Sequence, residues 1–424
     1  MSSKPIPSGI AEDSKLALMP KLRFPEFQEM AGWEETQLQK IARTVSDRAA
    51  TGDGENVLSL SGEHGLILQS DYFGKKIAGD STERYLKLLR DDFVYNDRAT
   101  KASTFGTIKR LSKYPGGIVS PIYKCFRFHA DENPVFWEWY FESGSHESQL
   151  GSLVNEGARA GRYNISIRQF LSTSVARPDL IEQQKVAECL SSVDELIDAQ
   201  ARKVSKLKLY KKGLMQRLFP REGETQPRLR FSEFQKAGDW EEKRLSGVID
   251  LISGTHLSPG NYSTTGEVPY FTGPSDFTND LSDVTKWTKR TANVSHAGDI
   301  LITVKGSGVG EIWYSTLPEV AMGRQLMAIR SKNGSNRFMF QFLLTKKSRF
   351  EDLGSGNMIP GLSRVAILEL EASFPKPAEQ HRIADCLASL DDLIAAQVQK
   401  HKALRIYKKG LMQQLFPSSP EVDA

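Results

Sequence analysis

Cysteine is scarce in this 424-residue chain: Cys125, Cys189 and Cys386 are the only three. They form no CxxC pair and no even-numbered framework. This argues against a disulfide-stapled secreted fold and a thiolate zinc site, and it predicts a reducing, cytoplasmic setting. No apolar run approaches the roughly 18 residues that a membrane-spanning helix needs. Residues 1–19 lack the charged-then-apolar pattern of a signal peptide. Charge of one sign is also missing. Fifty-six Lys and Arg against 52 Asp and Glu leave a net charge of +4, which permits a nucleic-acid partner without requiring one. The vocabulary of catalysis is thin as well. There is no GxxxxGK[ST] phosphate loop and no Asn/Asp-Pro-Pro-aromatic motif. The seven histidines show no metal-ligand spacing. Gly306-Ser307-Gly308-Val309-Gly310 is followed by Glu311-Ile312-Trp313-Tyr314-Ser315, which reads as strand, so it is not the glycine turn that opens a cofactor-binding helix. Ser/His and Cys/His pairs occur, but none sits in a recognisable motif. The expectation is a chain with no active site, metal or cofactor of its own.

What the chain does have is a long repeat. Glu182 to Pro220 is written again, without a gap, at Glu379 to Pro417, with 23 of 39 positions identical. Neither copy has a proline before its end, and the glycines Gly213 and Gly410 lie in the last turns. Val186, Val193, Leu207 and Leu214 recur at seven or a multiple of seven. A second row passes through Cys189, Leu196 and Tyr210. The second copy places Cys386, Leu390, Leu393, Leu404 and Tyr407 at the matching positions. This spacing predicts a coiled-coil seam, widened by Leu190, Ile197, Val204 and Leu218. Gln200 and Gln397 sit on it, where a polar residue fixes register at some cost in stability. About 35 helical residues give a rod of roughly 50 Å. Two equal helices, each leading away from its own domain, fit most simply as an antiparallel pair. The alternative is two unrelated surface helices, and the identical seams argue against it.

A shorter motif also repeats. Pro20-Lys21-Leu22-Arg23-Phe24-Pro25-Glu26-Phe27, with Trp33 downstream, returns as Pro227-Arg228-Leu229-Arg230-Phe231-Ser232-Glu233-Phe234 with Trp240. The order is therefore opening motif, domain, long helix, then all three again. The predicted boundaries are a flexible tail at 1–19, a first globular domain at 20–178, a helical repeat at 179–220 and a linker at 221–226. A second globular domain follows at 227–376, then the second helical repeat at 377–417 and a tail at 418–424. Both domains read as mixed α/β (α+β) with much strand, as at Gly65–Leu68 and Gly298–Val304. Faint repeats survive inside them. Asp92-Phe93-Val94-Tyr95 answers Asp299-Ile300-Leu301-Ile302, Phe126-Arg127 answers Ile329-Arg330, and Phe136–Phe141 answers Phe338–Leu344. One fold with diverged surfaces is expected, doing one kind of job on two targets. The second helix ends at Phe416-Pro417 with nothing to lead into, so that end should lie near Pro20. The chain is then quasi-cyclic with pseudo-two-fold character.

Candidate binding groups cluster in both domains. In the first, Lys101, Ser103, Thr104, Thr107, Lys109, Arg110 and Lys113 crowd one segment with Phe105 and Tyr114. In the second, Lys286, Lys289 and Arg290 flank Trp287. Lys305 and Ser307 stand in a glycine-rich stretch, and Arg324-Gln325 supplies two side chains that can be bidentate to bases. Cations serve phosphates, and hydroxyls serve phosphates or base edges. The plainer reading of any one of these residues is a solvated surface charge.

Two dissimilar domains, each followed by a near-identical helix ending Tyr-Lys-Lys-Gly-Leu-Met-Gln-x-Leu-Phe-Pro, resemble the specificity subunit of Type I restriction–modification systems. The Pro-x-Leu-Arg-Phe-x-Glu-Phe motif, Ala297-Gly298-Asp299-Ile300-Leu301 and Glu379-Gln380-His381-Arg382-Ile383-Ala384 carry the same likeness. The first domain departs from it, with Arg90-Asp91-Asp92-Phe93 in place of Ala-Gly-Asp-Ile. The resemblance implies a non-catalytic subunit with two target recognition domains, each reading one half of a split double-stranded DNA site. The antiparallel coiled coil would set the spacer between the halves. It further implies two methyltransferase subunits and two restriction subunits as partners, with S-adenosylmethionine, ATP and Mg belonging to those partners. Two other classes remain open at this point. A self-contained restriction–methylation enzyme would need motifs this chain lacks, and a coiled-coil scaffold would bind proteins only.

Overall fold

The run Phe93–Asn96 is apolar at consecutive positions, so a strand there must bury both faces. Phe93 and Tyr95 enter a cluster with Phe126, Phe128, Phe136, Trp137 and Phe141, while Val94 points the other way to Leu88, Leu111, Val119 and Cys125. Ile300–Thr303 does the same in the second half. Ile300 and Ile302 pack with Ile329, Phe338 and Phe342, and Leu301 packs with Phe271, Val320 and Met322. The period-two alternation of a strand thus divides one apolar run between two cores. The computed structural model describes residues 18–50, 56–74, 82–100, 103–151, 153, 163–289, 293–355 and 361–417. Most of the predicted N-terminal tail, the C-terminal tail, Lys101 and Arg290 lie outside the described residues.

Each half is built on a four-stranded antiparallel sheet with the same strand order. In the first half it runs Ala42–Thr44, Lys124–Phe128, Phe93–Asn96, Thr107–Arg110. In the second it runs Ile249–Ser253, Leu326–Ser331, Ile300–Thr303, Ile312–Tyr314. One face is covered by the helix Pro134–Glu142, or by Asn336–Thr345 in the second half. These helices are capped by Asn133 and Ser335, whose side chains accept from backbone amides of the first turn. A two-stranded ladder closes each globular segment, Glu34–Gln37 with Ser174–Arg177 and Glu241–Arg244 with Glu371–Phe374. The outer layers differ. The first half has a hairpin Leu58–Ser61/Gly65–Leu68 and a pair Leu86–Leu89/Gly116–Val119. The second has a four-stranded sheet in which Val268–Phe271 runs parallel to Glu319–Met322.

The repeat forms two helices, Leu180–Leu218 and Pro377–Leu415. The compact units do not follow the linear domain boundaries. One comprises residues 1–199 and 401–424, and the other residues 200–400, so each takes in part of both long helices. In the first unit, Val186 and Leu190 pack with Leu411, Met412 and Leu415, and Lys408 pairs with Asp194. In the second, Ile383 and Leu387 pack with Leu214, Met215 and Leu218, and Lys211 Nζ lies 2.6 Å from Asp391 Oδ1. Early residues of one helix meet late residues of the other in both units, so the pairing is antiparallel. Gln200 Nε2 donates to Gln397 O at 2.9 Å and to Gln397 Oε1 at 3.0 Å, a polar link in the seam.

The seam itself needs correcting. Its second row is not Cys189, Leu196 and Tyr210 but Leu190, Ile197, Val204, Lys211 and Leu218, which alternate in steps of three and four with Val186, Val193, Gln200, Leu207 and Leu214. Leu196 and Tyr210 are 58% and 61% exposed, and their equivalents Leu393 and Tyr407 are 42% and 59% exposed. Cys189 and Cys386 are half-buried at the same flank. One residue of helix rotates a side chain by about 100°, which moves this row from the seam to its edge. Val186, Val193, Leu207, Leu390 and Leu404 do lie on the seam stripe.

The opening motif is a clamp. Arg23 Nε and Nη2 bind Glu182 Oε1 and Oε2 at 2.8 and 2.7 Å, while Nη1 and Nη2 donate to the carbonyls of Met30 and Ala31 at 2.9 and 3.1 Å. Arg230 repeats every contact with Glu379, Ala237 and Gly238 at the same distances. The hydrogen bond to the carboxylate outweighs desolvation and holds each guanidinium above its usual pKa. Leu22 N donates to Gln414 O at 2.9 Å, so the end of the second helix does return to the first opening motif. Leu229 N donates to Arg217 O at 2.8 Å in the other unit.

Two outcomes follow for stability. Glu182→Gln strands a buried guanidinium and should cost about 3–5 kcal/mol in equilibrium unfolding, whereas Lys185→Ala, at an exposed pair, should cost less than about 1 kcal/mol; a loss below 1 kcal/mol for Glu182→Gln contradicts the clamp. Ile197→Asp should lower the melting temperature sharply, and Leu196→Asp should leave it nearly unchanged, since only the first places a charge in the seam. Equal effects would restore the row through Leu196.

Candidate nucleic-acid interface

In both units the third and fourth sheet strands form a hairpin whose loop projects from the sheet edge. In the first unit it joins Phe93–Asn96 to Thr107–Arg110, and in the second it joins Ile300–Thr303 to Ile312–Tyr314. Each loop re-enters its strand through a left-handed glycine, Gly106 at φ +93° and Gly310 at φ +89°. A Cβ on Gly106 would stand 2.3 Å from Asn96 O, so only glycine fits the turn. Thr104 lies in the first of these loops, and Lys305 and Ser307 in the second. Candidates from unlike sequences therefore occupy one topological position.

In the second unit a further loop joins them. Arg324 and Gln325 connect Glu319–Met322 to Leu326–Ser331, and both are exposed. Val304 N donates to Gln325 O at 2.7 Å, which fixes this loop beside Lys305. The Gln325 side chain is framed by glycines: a Cβ on Gly273 or Gly306 would lie 3.4 or 3.6 Å from its Oε1. Lys305, Ser307, Arg324 and Gln325 thus share one edge, with a cation, a hydroxyl and a bidentate amide over exposed backbone. The sequence gave no sign of Gly273 as part of it, because it lies 33 residues before Gly306.

Lys286 is placed differently. Its Nζ donates to Thr272 Oγ1 at 2.8 Å and to both Asp276 oxygens at 3.0 Å, so it braces the loop beneath Gln325. Burial works against the Asp276 charge, but hydrogen bonds from Thr272 and Lys286 prevail and hold its pKa below the usual value. Lys289 is exposed.

Two first-unit candidates are also structural. Lys109 pairs with Glu142, and Arg110 pairs with Asp91 and, through Nε at 2.8 Å, with Glu138. Burial raises the Glu138 pKa, with Arg110 opposing it. Both cations tie the fourth strand to the helix Pro134–Glu142. Thr107 is half-buried opposite Asn96 in the ladder, and Lys113 is exposed with its Nζ 5.3 Å from the Tyr114 ring centroid. Where the second unit carries Arg324-Gln325, the first carries Pro121-Ile122, and Ile122 is exposed. The sequence reading, which looked for cations, passed over that apolar side chain. Among the described residues no group of three or more His, Cys, Asp or Glu is placed to hold a metal ion. No described helix is long and apolar enough to cross a membrane.

Two similar sheet units with unlike edge loops, joined to paired long helices, define a modular recognition architecture. Residues 237–405 match the family model of the Type I restriction modification DNA specificity domain. The type I restriction enzyme MjaVIII specificity subunit of Methanocaldococcus jannaschii is 24% identical over 292 residues, 62% of this chain and 66% of that protein. A protein of the same organism, provisionally named the MjaX specificity subunit, is 28% identical over 259 residues, 60% of each chain. The matches span about three fifths to two thirds of these curated relatives. Among solved structures, the Type I restriction-modification system S subunit from M. genitalium matches with a TM-score of 0.57 at 14% identity, covering 94% of this chain and 99% of that one. A chain from a study of assembly and conformational transition of the type I R-M system matches at 0.59 and 19% identity, covering 92% and 98%. These two likenesses concern the fold. The chain belongs to the family of Type I restriction–modification specificity subunits.

Arg110→Ala should lower stability by about 1.5–3 kcal/mol, the worth of hydrogen bonds to charged groups, whereas Lys113→Ala should change it by no more than about 0.5 kcal/mol. Chemical unfolding of the two variants measures this. The reverse order would make Arg110 a free cation.

Proposed function

We propose that the chain is the DNA-recognition subunit of a Type I restriction–modification complex and has no catalysis of its own. The carrying observation is that two units with one strand order present different side chains at the same hairpin edge, as expected of two readers with different targets. In the second unit, Arg324 and Gln325 offer the bidentate geometry that discriminates guanine and adenine in the major groove, with Lys305 and Ser307 on phosphates. In the first, Thr104 and the exposed Ile122 suit a phosphate and a thymine methyl group.

The long helices, 39 residues each and so about 58 Å in length, are the element that would fix the non-specific spacer between half-sites. Methyltransferase subunits would dock on their exposed flank. That flank carries Leu196, Ile406 and Tyr407 in the first unit and Leu393, Leu209 and Tyr210 in the second, apolar groups of the kind that mark a protein interface. S-adenosylmethionine would be bound by those subunits. Restriction subunits would add ATP- and Mg-dependent cleavage. Such a complex works on cytoplasmic DNA.

Co-expression with its methyltransferase subunit, followed by sequencing of modified adenines in host DNA, should reveal a split motif of two short halves around a fixed gap. Lys305→Ala with Arg324→Ala should cut modification about 10- to 100-fold through one half-site, while base preference in the other half stays unchanged. Equal relaxation of both halves sinks the assignment of these residues. No new modification by an assembled complex sinks the function.

A further inference from the structure

Each unit has a groove between a long helix and its globular part, and the two grooves are lined by repeat-equivalent positions. Lys208, Lys211 and Lys212 line the groove of the second unit, and Arg405, Lys408 and Lys409 that of the first. The helix therefore brings the same charge to both, and the contrast comes from the opposite wall. In the first unit Glu63, Glu142, Asp194 and Asp198 face those cations, Lys402 and His401, so the groove of about 910 Å³ is close to neutral. In the second, Arg221, Lys346 and Arg349 are added, with only Glu222 and Asp352 as carboxylates. Six cations then line a groove of about 990 Å³.

This groove adjoins the reading edge of its unit. Its wall is the helix Lys347–Ser355 with the preceding Lys346. The other side of that helix packs on the candidate hairpin. Lys347 Nζ lies 2.7 Å from Glu311 Oε1, a Cβ on Gly310 would meet Glu351 Cγ at 2.9 Å, and a Cβ on Gly354 would meet Val309. One helix thickness separates the groove from the loop that carries Lys305 and Ser307. Lys346 is half-buried, and its ammonium is disfavoured first by desolvation, against the pull of Glu222. An anion in the groove would relieve that cost.

We propose that the groove of the second unit grips the phosphate backbone of duplex DNA, whatever its sequence, next to the half-site that this unit reads, and that the first unit has no matching grip. This rests on the DNA-recognition reading above. Specific contacts alone would make the two arms equal in salt dependence, but an added phosphate track loads the electrostatic part of binding onto one arm.

The test uses the full-length chain and a 40-base-pair duplex of random sequence, titrated across salt. Lys208→Gln, Lys212→Gln and Arg221→Gln are combined; all three side chains are exposed, so the fold should hold. Affinity at low salt should fall at least about tenfold, and the slope of log K against log salt should shrink by about 2 to 3, close to 0.9 per phosphate released. The matching triple in the first unit, Lys402→Gln, Arg405→Gln and Lys409→Gln, should shift the slope by less than about 1. Unchanged affinity and slope in the second-unit triple overturn the proposal, as does an equal loss in both triples. Lost assembly with a protein partner at intact duplex affinity would assign the groove to an acidic protein surface and also overturn it. Selection from a random duplex library is a separate readout. A chain that binds through the groove but selects no split motif refutes the recognition reading and leaves the grip standing; a wild-type chain that binds no duplex refutes the grip.

Discussion

The structure depends on a buried guanidinium bound to a carboxylate, used twice. Arg23 and Arg230 each spend four donor contacts on a Glu in the first turn of a long helix and on two carbonyls of the segment before the tryptophan. An isolated buried ion pair is weak evidence for stability, because desolvation offsets attraction. Here its geometry matters more than its energy. The planar fork fixes three segments at once: the opening motif, the strand that follows it, and the start of the helix. The same octapeptide then donates a backbone hydrogen bond to the end of the other helix. Each sheet therefore holds two long helices at a set angle, and a recognition edge carried by the sheet inherits that position.

Much of this was legible in the sequence as repetition. The faint echoes of Asp92 in Asp299 and of Arg127 in Arg330 are the two halves of one ion pair. Arg127 Nη2 lies 2.8 Å from Asp92 Oδ2, and Arg330 Nη2 lies 2.7 Å from Asp299 Oδ2. Each Asp also accepts from a backbone amide at the strand start, Leu89 N and His296 N. The departure of Arg90-Asp91-Asp92-Phe93 from the second half's Ala-Gly-Asp-Ile leaves that Asp in place. Asp91 takes up the left-handed conformation at φ +71°, where Gly298 has φ +90°. The outer layers could not be read in this way. Their strands are short, they pair across long loops, and one pairing is parallel, so no local period announced them.

The coiled coil was legible in kind and misread in detail. Two apolar rows flank the row through Val186 and Val193, and only steps of three and four separate the seam from its edge. Leu196, Tyr210, Leu393 and Tyr407 misled because they are large and apolar, while the true row contains Lys211 and Lys408, which look like surface residues. Their ammonium groups reach Asp391 and Asp194 on the facing helix, and Lys408 Nζ lies 4.0 Å from the Trp139 ring centroid. A lysine in the seam is tolerable when its stem packs and its head finds a carboxylate. The apolar row left outside it is then surface that the folded chain alone does not need.

The candidate site was the least legible part, for a related reason. A basic cluster in sequence does not say which cations are already spent. Lys109 and Arg110 are neutralised by Glu142 and Glu138, 33 and 28 residues away, and Lys286 by Asp276 across a loop. Lys305, Ser307, Arg324 and Gln325 belong together only because Val304 and Gln325 share a backbone hydrogen bond that no spacing predicts. The sheet beneath is held by paired charges and an alternating core that do not touch the loop tips. The loops can thus differ without disturbing the strands, and two unlike reading edges can rest on one architecture.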